Sequence, residues 1–256
     1  MTPRLQHTGR LARRGLAPAL AALALAACDI DLSGIDGINR TVRGSGQLTE
    51  DVRTIRHVDG LLLDAPGTVH ATISDDEGLV IEAESNLHRY LRVRTEGGRL
   101  RIEVDSGVRL EPTLPIRYHL TVRELSRVTA GRDGRVEVAG LRGQQLLVSS
   151  TGAGGIRLDD VHFDVISVSV QGSGGVSASG RVSFLEASLG ASGPLDMRYL
   201  DSDEAAITVS GSGSATVRVR RRLDANLSGS GSVLYYGNPT VYQSVSGAGE
   251  VRRAGG

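Results

Sequence analysis

Thr129, Ser149, Ser169, Ser188, Thr208, Asn226 and Ser244 each stand five positions before the second glycine of a glycine-rich turn. If successive turns stack in register, these small polar side chains form one ladder on an outer face. Such a ladder can hydrogen-bond a repetitive ligand, an envelope glycan for instance, or another copy of the protein. Thr151, Gln171, Ser210, Ser228 and Ser246, two residues further on, partly widen the row. The plainer reading is that Ser and Thr solvate an outward strand face and cap the adjoining turn.

Other residues are weaker candidates for chemistry. Asp159, Asp160 and Asp164, and Asp201, Asp203 and Glu204, fall near Arg157 and Arg198 in the expected turns opposite the glycines. Paired carboxylates there could act as acid and base on a polysaccharide, or bind calcium, if they converged. Acids in such turns are more often simply solvated. The chain has no Gly-x-Ser-x-Gly between a strand and a helix. His57, His70, His88, His119 and His162 lack zinc-ligand spacing. No catalytic residue, metal ligand or cofactor is therefore assigned. Arg218, Arg220 and Arg222 alternate along one expected strand and would share a face, solvated or holding an anionic group.

The elements that must carry these residues follow from the glycines themselves. Gly134, Gly154, Gly174, Gly193, Gly213, Gly231 and Gly249 repeat every 18 to 20 residues, the period of a solenoid. Two and four residues after each come apolar side chains such as Val136 and Val138, Ile156 and Leu158, or Val217 after Ala215. Reading back eight, six and four residues gives a second alternating run, such as Ile166, Val168 and Val170, or Leu223, Ala225 and Leu227. Each coil is thus expected to have two strands with one buried face. A propeller blade needs about 40 residues, which would leave too few blades. The first half predicts strands over 60–64, 68–73, 79–83, 90–95, 99–104 and 116–122, separated by hairpin signals such as Glu96-Gly97-Gly98.

The expected fold is all-β: a β-solenoid, read as a right-handed parallel β-helix over 129–256, with an antiparallel, hairpin-rich part over 44–128. That part should cover one end of the stack, and Val251-Arg252-Arg253 should protect the other. With 34 glycines, eight aromatic residues and no tryptophan, the core must be Val, Leu, Ile and Ala. The 29 basic and 29 acidic residues balance, leaving no footprint for nucleic acid.

Residues 1–27 read as a secretory leader, with four arginines, no acid and an apolar run from Leu16 to Ala27. Leu25-Ala26-Ala27-Cys28 resembles a lipobox, which implies cleavage before Cys28 and a diacylglycerol on its thiol; an ordinary signal peptide is the alternative. Residues 28–43 would then be a tether between lipid and fold. The mature chain would keep 25 basic and 29 acidic residues, would have no disulfide, and would be exported and lipid-anchored in the bacterial cell envelope, facing the periplasm or the outside.

Taken together, the leader, the Gly-Ser-Gly repeats, the run Leu223-Asp224-Ala225-Asn226-Leu227-Ser228-Gly229-Ser230-Gly231-Ser232-Val233 and the segment Tyr235-Tyr236-Gly237-Asn238-Pro239 resemble the bacterial head GIN domain family. The likeness runs from about Gly44 to Arg253. It implies a β-helical, envelope-attached adhesin and brings no catalytic or binding residues with it. The turns Gly131-Arg132-Asp133-Gly134 and Gly190-Ala191-Ser192-Gly193 depart from the pattern by one extra residue, where a bulge is expected. On this reading the chain is a non-enzymatic binding or adhesion protein whose partners are the membrane, through Cys28, and an envelope glycan or protein. The alternative is a structural protein that self-associates as a homo-oligomer.

Overall fold

The computed structural model describes residues 40–254. The expected leader, Cys28 and the rest of the expected tether up to residue 39 lie outside the described residues. The last four residues of the expected tether are a strand, β1 (Arg40–Arg43), paired in parallel with β8 (Val108–Glu111).

Between them run β2 (Leu48–Arg53), β3 (Gly60–Asp64), β4 (Thr68–Ile73), β5 (Gly78–Glu84), β6 (Leu91–Glu96) and β7 (Arg99–Val104), with β9 (Arg117–Val122) after β8. Only β2, β5 and β6 are antiparallel additions, β5 on β9, β2 on β5 and β6 on β7. They lie at one end of the stack. β3, β4, β7 and β9, placed in the antiparallel part by sequence, are instead parallel rungs of the solenoid, with Gly60 opposite Arg99 and Thr68 opposite Arg117. β3 and β4 are joined by Ala65-Pro66-Gly67, and Gly67 at φ +118° turns a corner rather than reversing the chain into a hairpin.

The repeats supply β10 (Arg127–Ala130), β11 (Arg135–Ala139), β12 (Arg142–Ser150), β13 (Gly155–Val170), β14 (Val176–Leu189), β15 (Leu195–Val209), β16 (Ser214–Leu227), β17 (Ser232–Tyr236), β18 (Thr240–Val245) and β19 (Glu250–Arg253). All pair in parallel with the strands above and below, except that β18 and β19 have a partner on one side only among the described residues. β10 and β11 stack on the free side of β3 and β4. The β3–β4 coil therefore lies between β10–β11 and the β7–β9 coil, although β7 and β9 precede β10 in the chain.

The two strands expected per coil are in four coils one long bent strand. In β13 the buried side chains are Ile156 and Leu158, then Val161 and Phe163, then Ile166, Val168 and Val170. A step of three interrupts the step of two twice, and each interruption shifts the inward parity where the strand bends. At the first, Asp160 takes φ +53° and the pairing with β14 shifts between Leu158 and Val161. Hydrogen bonding resumes on both sides of this bulge, so the strand continues through it.

Glycine recurs in the stacked turns because the rungs leave no room for a Cβ. A side chain on Gly154 would fall on the carbonyl oxygen of Gly134, and one on Gly174 on that of Gly154. The same holds for Gly213, whose Cβ would lie 2.6 Å from the Gly193 oxygen. Turn-to-turn bonds such as Gly174 N–H to Gly152 O at 2.9 Å and Gly193 N–H to Gly172 O at 3.0 Å hold the column together. Of the two longer turns, the first accommodates its extra residue with Arg132 at φ +39°.

At the capped end, the fully buried Glu84 fastens two loops. Its carboxylate accepts from Gly46 N–H at 2.6 Å, Thr113 N–H at 2.9 Å, Thr113 O–H at 2.5 Å and Leu114 N–H at 3.3 Å. Burial pushes its pKa up, but these donors outweigh that and hold it below the ordinary glutamate range. At the far end the outer edges of β18 and β19 carry no further strand among the described residues.

Candidate binding face

Parallel register decides where the seven ladder residues stand. Thr129 pairs with Ser149, Ser149 with Ser169, Ser169 with Ser188, Ser188 with Thr208, Thr208 with Asn226 and Asn226 with Ser244. One continuous column results, at about 4.8 Å per rung. It alternates along each strand with core residues such as Val148, Val168 and Ala187, so every member points outward. Thr129, Ser149, Ser169 and Ser188 are half-buried, whereas Thr208, Asn226 and Ser244 are exposed.

The half-buried four line a groove of about 390 Å³ together with Arg99, Arg127, Leu147, Ser167 and Glu186. Arg127, Leu147, Ser167 and Glu186 form the adjacent outward column, two residues before the ladder. Gly60 continues that column between Arg99 and Arg127, and the Arg127 side chain lies over it, with Nη1 3.7 Å from where a Cβ would stand. Neither arginine has an ion pair or side-chain hydrogen bond among the described residues, whereas Arg101 on the same strand is bonded to Glu103 at 2.6 Å. At the opposite end, Glu186 accepts from the Ser167 hydroxyl at 3.2 Å. Sequence reasoning missed Arg99 and Arg127. Period-two alternation from Thr129 places Arg127 on this face, but only the pairing of β3 with β7 brings Arg99 to it.

The parallel solenoid agrees with the fold of known proteins. The family model described as "Putative auto-transporter adhesin, head GIN domain" matches residues 59–239. The chain belongs to this family. Among solved structures, a "putative adhesin" from Bacteroides fragilis NCTC 9343 superposes with TM-score 0.79 at 19% identity, covering 83% of this chain and 100% of that one. A "putative lipid binding protein" from Parabacteroides distasonis ATCC 8503 gives 0.72 at 22%, covering 84% and 100%. A "putative adhesin" from Parabacteroides merdae ATCC 43184 gives 0.67 at 20%, covering 84% and 99%. These identities establish a shared fold. A search of curated proteins finds no match.

Among the described residues of this head GIN domain, five of the six candidate acids form ion pairs with arginines, Asp164 being the exception. Asp159 pairs with Arg157 at 2.8 Å and Asp160 with Arg142 at 3.1 Å. Asp203 meets Arg220 at 3.1 Å and Glu204 meets Arg221 at 3.4 Å. Asp196 beside Arg198 pushes that guanidinium's pKa further up. Among the described residues no three His, Cys, Asp or Glu side chains are grouped to hold a metal ion.

Arg218, Arg220 and Arg222 all stand at outward positions of β16, between the buried Val217, Val219 and Leu223, but each is engaged by a different partner. The register shifts between Ser202 and Glu204 opposite them, so a bulge separates Arg218 from Arg222. Arg218 donates to the Arg198 carbonyl at 2.9 Å and lies over Tyr236, while Arg222 pairs with Asp224 at 2.9 Å and lies over Tyr242. Tyr235 packs against the core. Among the described residues no helix is long and apolar enough to cross a membrane.

Proposed function

We propose that the chain is a non-enzymatic binding protein, anchored in the cell envelope through a lipid on Cys28, that engages an envelope glycan or protein along its polar solenoid face. The observation that carries this reading is the in-register column from Thr129 to Ser244 bordering a groove. A rigid parallel sheet holds hydrogen-bonding groups at a fixed repeat, so little ordering cost remains when a repetitive ligand binds. The adhesin names in the family fit such a role.

The test is a glycan array probed with the full chain and with a variant carrying Ser169→Glu, Thr208→Glu and Ser244→Glu. Selective binding lost in a folded variant supports the reading. Binding by neither protein to any glycan overturns the glycan form of it.

A second reading, end-to-end self-association, is favoured by the open edges of β18 and β19. Register places Val241, Gln243 and Val245 at the inward positions of the last coil, above Leu223, Ala225 and Leu227. Gln243 there, and Arg253 above Tyr235, oppose continuation of an apolar core. Sedimentation of the full chain over a concentration series separates the two readings, since a stacking protein shifts to higher mass.

A further inference from the structure

We propose that the groove between Arg99 and Glu186 is a polarised subsite for an acidic glycan, with a sugar carboxylate seated between Arg99 and Arg127. The proposal rests on the glycan-binding reading above and names the ligand's charge and direction. Arg99 and Arg127 stand two rungs apart in one outward column, roughly 10 Å by strand spacing, and the rung between them is Gly60. A Cβ at Gly60 would lie 3.7 Å from Arg127 Nη1, so the Arg127 guanidinium reaches over the rung between the two arginines. Asp59, next to Gly60, lies against the Gly98 turn, where a Cβ on Gly98 would sit 2.6 Å from its Oδ1, and Glu96, opposite Arg99 in the β6–β7 pairing, forms no ion pair with it. Both guanidiniums are thus left with donors to offer, in the fork geometry that suits carboxylate.

The remaining lining continues the site in one direction. From Arg127 the groove passes Leu147 and Ser167, beside Thr129, Ser149, Ser169 and Ser188, and ends at Glu186. Glu186 lies three rungs from Arg127, roughly 14 Å. A carboxylate there would be repelled, whereas a neutral sugar can hydrogen-bond the hydroxyls. The charged unit therefore belongs at the arginine end, with uncharged units along the ladder. A flat membrane fits the site less well, because half-buried hydroxyls in a groove are reached by a narrow strand of sugar and not by a headgroup plane.

The experiment measures binding of the immobilised full chain to hyaluronan and galacturonate oligosaccharides, to their methyl-esterified forms, and to phosphatidylglycerol vesicles. It compares the unaltered protein with Arg99→Gln/Arg127→Gln and with Arg135→Gln on the other sheet face, after checking that all melt at similar temperatures. The expected result is binding of a free-acid oligosaccharide that weakens about tenfold or more on esterification and in the double variant, is unchanged by Arg135→Gln, and falls with rising salt. Equal binding of acid and ester, or acid binding indifferent to the double substitution, overturns this proposal and leaves the polar-face reading standing. Binding to vesicles alone, or to none of the probes, also overturns this proposal, and the glycan array described above decides the broader reading.

Discussion

Replacing glycines of the stacked turns by alanine should destabilise the protein in an order set by the space at each. At Gly174 the new Cβ would fall on the Gly154 carbonyl oxygen, backbone that cannot swing aside. Relief requires prying the rung from its neighbour, which breaks the bonds of Gly174 N–H to Gly152 O and Gly193 N–H to Gly172 O. With about 1–2 kcal/mol for each bond left unmade inside the stack, the cost is roughly 3 kcal/mol. For a domain of this size that lowers Tm by about 10 °C. Gly213→Ala, with its Cβ 2.6 Å from one oxygen and 3.0 Å from another, should cost less. Gly155→Ala, at 3.1 Å from the Gly175 oxygen, should cost less again. Gly78→Ala meets nothing within 4 Å and should be neutral or slightly stabilising. Thermal unfolding followed by circular dichroism gives the series directly. If Gly174→Ala melted with Gly78→Ala, close approach would not be why glycine recurs.

Glu84→Ala should cost about 2 kcal/mol by stranding the N–H groups of Gly46, Thr113 and Leu114, and should raise proteolysis of residues 44–47 and 112–115. Because the Glu84 pKa is depressed on folding, its stabilisation is present above the unfolded glutamate pKa and lost as pH falls through the folded value. Urea midpoints measured from pH 6 to pH 3 should therefore fall less steeply for Glu84→Ala than for the unaltered protein; parallel curves would contradict the assignment. Tyr118→Phe removes the bond from the buried phenol to Pro66 O at 3.0 Å and should cost about 1 kcal/mol. Burial raises the Tyr118 pKa, so folding loses stability above the unfolded tyrosine pKa, and the variant should resist alkaline unfolding better than its stability at pH 7 implies. The triple ladder variant should melt within a few degrees of the unaltered protein because its side chains point outward; a collapse in Tm would make the column structural.

Stacking fixes the outer face of this scaffold without a ligand. Each coil's backbone groups bond to the rungs on either side, so Ser149, Ser169 and Ser188 keep their spacing whether or not anything contacts them. The same stacking leaves the last coil exposed, and Gln243 and Arg253 at its inward positions blunt that edge.

The sequence by itself determined the solenoid, the family and the ladder. Glycines at an 18-to-20-residue period fix which residues oppose one another once parallel rungs stack, and alternation fixes which of them face out. Strand limits at 60–64, 68–73 and 99–104 were legible for the same reason, since each is a short apolar alternation bounded by turn residues. Tertiary structure alone decided how β3 and β4 are inserted between β7–β9 and β10–β11. Nothing local distinguishes a strand that pairs with its hairpin neighbour from one that pairs across some forty residues. That insertion places Arg99 and Arg127 on either side of Gly60. Bulges likewise escaped the pattern: alternation from Ile156 and Leu158 would have turned Asp160 inward, but a corner that lets the coil close around its core shifts the parity so that Val161 is buried instead.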